Sequence, residues 1–187
     1  RDRTNLARVN AGTDAEGPGT LAVTVVSGDP ARPGEARLPD VVLPPGGFFQ
    51  AGRVLAASGL DTGLGWARVA RVAGSAPFLA WATVNDNGSG DGSFVPAVVP
   101  GRSFASCQAI ATVVQSGRYA TELVVTNPGE EPAPLRVTLV ATGTLLTETL
   151  APRQTLHLPD LFAELRRRGL SRAPAEGATI ASPLTVC

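Results

Sequence analysis

Lysine and methionine are absent from this 187-residue chain; every one of its 16 basic side chains is an arginine. Sixteen acidic residues balance them to a formal net charge of zero. There is no basic stripe with interleaved aromatics, so no nucleic-acid partner is expected. No apolar run approaches the roughly 20 residues a membrane helix needs, so no membrane insertion is expected. Histidine occurs once, as His157, which cannot build a multi-histidine metal site; in Thr155-Leu156-His157-Leu158 it reads as a surface or edge residue of a strand. Asp29, Asp40, Asp61, Glu122, Glu130 and Glu131 fall on turns or strand edges without a spacing that argues for acid–base work. No glycine-rich phosphate loop follows a strand into a helix. The expectation is a chain with no catalytic residues, no metal and no cofactor. Aromatic residues make up 5% of the chain, and Trp66 and Trp81, in strand-like contexts, are expected in the core. The first residues are Arg1-Asp2-Arg3, with no initiating methionine, so a processed chain or a piece of a longer one is expected.

Cysteine is also scarce. Cys107 and Cys187 are the two present. They suggest one disulfide, with two unrelated thiols as the alternative. A closure spanning about 80 residues contributes about 4 kcal/mol in the chain-entropy model, and would tie the middle of the chain to its end. Such a bridge points to an oxidising, extracytoplasmic setting.

What is present is an internal repeat. Thr4-Asn5-Leu6-Ala7-Arg8-Val9-Asn10-Ala11-Gly12 recurs as Thr121-Glu122-Leu123-Val124-Val125-Thr126-Asn127-Pro128-Gly129. Leu21-Ala22-Val23-Thr24-Val25-Val26 recurs as Leu135-Arg136-Val137-Thr138-Leu139-Val140. Leu43-Pro44-Pro45-Gly46-Gly47 recurs as Leu150-Ala151-Pro152-Arg153-Gln154, and Gly59-Leu60 as Gly169-Leu170. Order is kept and spacing drifts by a few residues, the mark of a duplicated module.

Strand signals dominate both copies. Leu21–Val26, Ala67–Val72, Phe78–Val84, Ala109–Gln115, Thr121–Thr126 and Leu135–Val140 are short β-rich runs bounded by Gly, Pro, Asn or Asp. Dense turn chemistry between short strands gives an all-β sandwich or barrel. One segment differs. Asp160–Gly169 reads as a short helix, with Asp160 as N-cap, Leu161, Phe162 and Leu165 on one face, three arginines at the C-terminal end and Gly169 as the stop. The matching Arg53–Gly59 reads as a looser helical turn, and at this place in both copies the turn is expected to bridge two sheets. The loop Asn85–Gly92 reads as a hairpin turn. Calcium binding through Asp86, Asn87 and Asp91 is the alternative, and Asn87-Gly88-Ser89 is also a glycosylation sequon.

Pro96, Pro100 and Gly101 break the chain in the middle, giving domains at residues 1–100 and 109–187 with a linker at 101–108. The copies are unequal. The second has a leading strand, Ala109–Gln115, with no counterpart in the first; the first has a closing hairpin, Ala76–Val84 with Ser93–Val99, with no counterpart in the second. Missing strands leave unpaired backbone groups and an open core.

The run Arg3-Thr4-Asn5-Leu6 to Val9-Asn10-Ala11-Gly12, with Leu43-Pro44-Pro45-Gly46-Gly47, Gly74–Ala80, Val84-Asn85-Asp86-Asn87 and Phe94-Val95-Pro96-Ala97, resembles an uncharacterised immunoglobulin-like module found in tandem in large secreted or surface proteins of bacteria. The resemblance covers nearly all of the first copy and about half of the second, which departs from it at Arg153-Gln154 and in lacking the Asn-Asp-Asn turn. It implies two tandem immunoglobulin-like β-sandwiches, a secreted or cell-surface location and a scaffold or adhesive role, and it carries no catalytic residues. The leading expectation is a non-enzymatic fibre or filament subunit, a head-to-tail homo-oligomer completing its sandwiches with strands of neighbouring copies. Ala109, Ile110, Ala111, Thr112, Val113, Val114 and Gln115 would then be the edge or donor strand. The alternative is an accessory binding or adhesion module of a larger secreted protein, with a polysaccharide or protein ligand.

Overall fold

A computed structural model describes residues 3–85, 92–99, 107–117, 119–170 and 173–187. They form antiparallel sheets with two short helices, in two compact units, Arg1–Gly101 and Arg102–Cys187. The all-β reading holds. The hairpin turn, calcium and glycosylation readings at Asp86, Asn87 and Asp91 fall outside the described residues, as does most of the linker; Gln108, placed in the linker by sequence, already belongs to a strand.

In unit 1 the order is β1 (Arg3–Asn10), β2 (Gly19–Ser27), β3 (Glu35–Leu43), β4 (Phe48–Ala51), α1 (Val54–Ala57), β5 (Gly65–Ala73), β6 (Phe78–Asn85) and β7 (Gly92–Pro96). One sheet runs β4-β1-β6-β7 and the other β3-β2-β5. Leu6 of the first sheet and Val23, Val25 and Leu38 of the second share one buried cluster with Val54 of α1, so the two sheets enclose a common core. The helical turn α1 carries the chain from one sheet to the other, as the repeat suggests. β3 is the strand the sequence hides, because Pro39 sits inside it. It is tolerated there on an edge strand at an irregularity: Leu21 faces Val41 while Val23 faces Leu38. Arg37 and Asp40 close that irregularity with a 2.8 Å ion pair.

Unit 2 contains β8 (Gln108–Gln115), β9 (Leu123–Thr126), β10 (Ala133–Leu139), β11 (Thr144–Leu150), β12 (Thr155–Leu158), α2 (Leu161–Arg167) and β13 (Ile180–Val186). Its sheets are β11-β10-β13-β8 and β12-β9. β9 is shorter than the Thr121–Thr126 run because Thr121 is engaged sideways: its hydroxyl accepts from the Val114 amide at 2.9 Å and donates to the Val114 carbonyl at 2.8 Å. The helix is where the sequence places it. Asp160 accepts from the Ala163 amide at 2.9 Å, and Gly169 takes a φ of 62° at the stop. Leu161, Phe162 and Leu165 are fully buried against Leu135, Val137, Leu139, Leu146 and Leu184 of the sheet. Truncating Phe162 to alanine in that contact would cost about 3–5 kcal/mol.

The duplication extends to individual hydrogen bonds. The buried Asn10 amide donates to the carbonyls of Leu43 (2.9 Å) and Gly17 (3.2 Å), and its Oδ1 accepts from the Gly12 amide at 2.8 Å. Asn127, its repeat partner, donates to the carbonyls of Leu150, Ala151 and Glu131 and accepts from the Gly129 amide at 3.0 Å. The backbone amides of both donate to matched carbonyls, Gly47 and Gln154. The turn beneath each asparagine needs one residue at positive φ. Gly46 supplies it in unit 1 (φ 69°) and Arg153 in unit 2 (φ 63°), so the departure of the second copy at this point places a strained arginine where glycine is free.

Candidate functional site

Two edge strands, β5 and β9, differ from their repeat equivalents in how they are paired. β5 and β13 are equivalents. β13 is paired on both sides, by β10 and β8, whereas β5 is paired by β2 alone among the described strands. β1 and β9 are likewise equivalents. β1 is paired by β4 and β6, whereas β9 is paired by β12 alone among the described strands. Among the described strands, each unit thus has a pairing that its counterpart does not.

The exposed side chains fit those gaps. Directly opposed residues of antiparallel strands share a face. Val95 faces Ala82, which faces the core residue Leu6, so Val95 points to the core side of its sheet; it is nonetheless 48% exposed. Ile110 faces the fully buried Leu184 and is 39% exposed. Both are core-side hydrophobics that stay exposed.

Cys107 and Cys187 form a disulfide. It flanks the pair Gln108–Val186 and ties β8 to β13 inside unit 2. A bridged chain fits an oxidising compartment, and no helix among the described residues is long and apolar enough to cross a membrane. Ala109, Ile110, Ala111, Thr112, Val113, Val114 and Gln115 lie in β8, seated against β13 of the same chain. Gln115 is pinned further. Its Nε2 donates to the carbonyls of Ala178 (2.7 Å) and Ala175 (3.2 Å), and its Oε1 accepts from Arg166 at 2.5 Å. Covalent and polar ties thus hold β8 against β13.

His157 lies on the edge strand β12, with Nε2 2.6 Å from Oε1 of Glu122, the residue before β9, beside a shallow groove that also touches Asp160 and Glu164. Glu164 is held at about 2, well below the usual carboxylate range, by hydrogen bonds from Arg167 and then Arg168. Arg168 also pairs with Glu148 of β11, fixing α2 to the sheet. Among the described residues no group of three or more His, Cys, Asp or Glu is placed to hold a metal ion.

Two features escape the sequence. The first is an aromatic row. Both tryptophans are half-buried and neither belongs to a core cluster, contrary to the expectation. Trp81 faces Ala7 on the outer side of the β4-β1-β6-β7 sheet, with its ring 6.0 Å from Phe48 and 6.3 Å from Phe94. Phe48, Leu79 and Phe94 on that face are 56%, 60% and 66% exposed. The composition is poor in aromatics, but strand register gathers three of them. The second is Arg8, 1% exposed on the core side of β1. Its guanidinium stacks 5.0 Å over the Phe49 ring, its Nε and Nη1 have no hydrogen-bond partner, and burial pushes its pKa down. The repeat puts Val125 at the matching place, an ordinary apolar position.

No protein-family model, no curated protein and no solved structure matches this chain.

Proposed function

We propose that this chain is a non-enzymatic structural protein of the cell exterior, built from immunoglobulin-like modules that associate by pairing at open sheet edges, as in a surface fibre or filament that grows head to tail. The observation that carries the reading is that β5 and β9 each have one partner among the described strands, in units where the core-side hydrophobics Val95 and Ile110 stay exposed. An open edge next to uncovered apolar surface is a template for an added strand, where backbone bonds give affinity and side-chain pockets give selectivity. A contact between unlike edges does not close on itself and propagates. The disulfide supports an oxidising location. Electron microscopy of native material with intact mass on the same sample tests it. Regular filaments of a chain near 19.1 kDa support the reading. Dispersed, monomeric particles with β5 and β9 amides protected from exchange refute it.

A second reading, a binding module of a larger secreted protein, is favoured by the row Phe48–Trp81–Phe94. Exposed aromatic faces on a rigid sheet stack against the apolar faces of sugar rings, and Asn5, Gln50 and Thr83, which share that face by register, supply uncharged hydrogen-bonding groups. Binding to neutral polysaccharides that Trp81→Ala abolishes without unfolding the protein would favour this reading over assembly.

A further inference from the structure

The aromatic row of unit 1 has a geometry that selects among polysaccharides. Phe48 stands on β4 in the rung of Val9, Trp81 on β6 in the rung of Ala7, and Phe94 on β7 in the rung of Asn5 and Thr83, so the row crosses the sheet diagonally. Phe48 and Trp81 lie on strands separated by β1, and their rings approach to 6.0 Å because the side chain between Gln50 and Trp81 is only that of Ala7. The ring planes turn by 31° from Phe48 to Trp81 and by 40° from Trp81 to Phe94. The fold does not need these rings. The repeat match of the Val9–Phe48 pair is Thr126–Thr155, and that of Ala7–Gln50 is Val124–His157, so unit 2 builds the same strand pairing without them. The face is also nearly free of charge: among the described pairs, Arg3 at its far end is the one charged residue that shares it by register.

We infer that this face binds a single chain of a β-linked neutral polysaccharide along its length, with successive sugar rings stacked on Phe48, Trp81 and Phe94. The inference rests on the second reading, that of a binding module, and adds the class of sugar and the way it lies. The occupant is neutral because no charge stands along the row to compensate a desolvated carboxylate, sulfate or phosphate. The same absence leaves nothing to hold an anionic lipid surface or a nucleic acid. The polar groups suit a sugar. Gln50 shares the rung of Trp81, and Asn5 and Thr83 share that of Phe94, so hydrogen-bonding groups stand beside the rings, where the hydroxyls at the rim of a stacked sugar fall. Asn5 is fixed there by the Arg53 amide, which donates to its Oδ1 at 3.2 Å. The linkage follows from the row. A β-linked pyranose chain is extended, with hydroxyls at its rims and C–H bonds on its faces, so it offers an apolar face to each aromatic ring in turn. A coiled or loosely jointed α-linked chain does not. The turned planes exclude a flat crystalline surface, which meets coplanar rings, and fit one chain that rotates about its own linkages.

Affinity electrophoresis of the whole chain tests this, in native gels holding hydroxyethylcellulose or glucomannan (β-linked, neutral), dextran (α-linked, neutral) or polygalacturonate (anionic). Trp81→Ala and Phe94→Ala each remove a ring of the row, and Phe94→Tyr keeps one, which separates loss of the ring from loss of the fold. Tyr119→Ala removes a 67% exposed aromatic of unit 2 and is the control for stickiness alone. The expected result is retardation in the β-linked gels only, with affinity lower by about tenfold or more in both alanine variants and unchanged in Phe94→Tyr and Tyr119→Ala. Equal retardation by dextran, still lost in Trp81→Ala, overturns the linkage and leaves the binding-module reading intact. Stronger retention on microcrystalline cellulose than in the soluble glucan overturns the single turned chain. Retardation by polygalacturonate alone overturns the neutral ligand. No retardation in any gel overturns the inference and the reading together, and native dimers in sedimentation that Trp81→Ala splits would assign the face to a second copy instead.

Discussion

The two buried asparagines allow the duplication to be tested energetically. Replacing Asn127 by alanine removes three donated hydrogen bonds and one accepted one. At about 1 kcal/mol net per bond the upper figure is about 4 kcal/mol. The bonds to Glu131, Ala151 and Gly129 are part-buried, so water replaces some of them; the Leu150 carbonyl is buried and is left without the asparagine. The expected loss is therefore about 2–3 kcal/mol. Asn10→Ala removes three bonds, one of them buried, and the expected loss is about 2 kcal/mol. Asn127→Asp separates geometry from donation: it keeps the acceptor for Gly129 but turns a charged oxygen toward the carbonyls. It should be at least as damaging as alanine at neutral pH. A carboxyl in that place binds its proton more tightly folded than unfolded, so the aspartate variant recovers relative to wild type as the pH falls. Urea titration followed by circular dichroism, with the midpoint and slope fitted for each variant, reads all three. A loss below about 0.5 kcal/mol for both alanine variants would refute the argument that these side chains hold their turns together.

Cutting the bridge with reductant or with Cys187→Ser should destabilise unit 2 by about 4 kcal/mol, since the closed loop spans 80 residues; an unchanged melting temperature would contradict this. Arg8→Leu should stabilise unit 1 by about 1–3 kcal/mol, because a desolvated cation with two unsatisfied nitrogens is exchanged for an apolar side chain; thermal melts decide, and a fall in stability would mean that the stacking on Phe49 outweighs the desolvation. Arg153→Gly should raise stability by up to about 1 kcal/mol by relieving positive φ, offset in part by loss of the exposed ion pair with Glu130. Glu164 has a folded pKa of about 2 against an ordinary value of 4.5. Its contribution is therefore complete above pH 4.5 and disappears as pH falls toward 2, so wild type and Glu164→Gln should converge in urea midpoint across that window and differ above it.

The helix α2 was legible because its cap, apolar face and glycine stop are all local, and β2, β5, β6, β8 and β10 because β-branched runs lie between breakers. β3 was not, since Pro39 argues against a strand unless an edge and an irregular register are known. Thr4 to Gly12 aligned with its repeat partner without revealing that Arg8 points inward: in Leu6-Ala7-Arg8-Val9 the charge reads as the exposed member of the alternation, and burial depends on what the opposite sheet brings. Trp81 was placed in the core because tryptophan prefers burial, yet its side of β6 is set by the pairing with Ala7 and by partners, Phe48 and Phe94, more than ten residues away in sequence. The two cysteines could be paired by count, but their position across β8 and β13 needed the register. Unequal copies were visible as unmatched segments; that Val95 and Ile110 stay exposed on the core side needed the register.

The bridge between Cys107 and Cys187 also decides how a pull on this segment is carried. Tension applied between Arg1 and Cys187 passes from Cys107 directly across the sulfurs, so the loop closed by the bridge, with a sequence separation of 80, is shielded and unit 2 keeps its shape while unit 1 can be unzipped. Reduction returns that hidden length to the tether, about 270 Å at the full extension of a polypeptide. Redox state, rather than folding strength, sets how far this half of the chain can stretch.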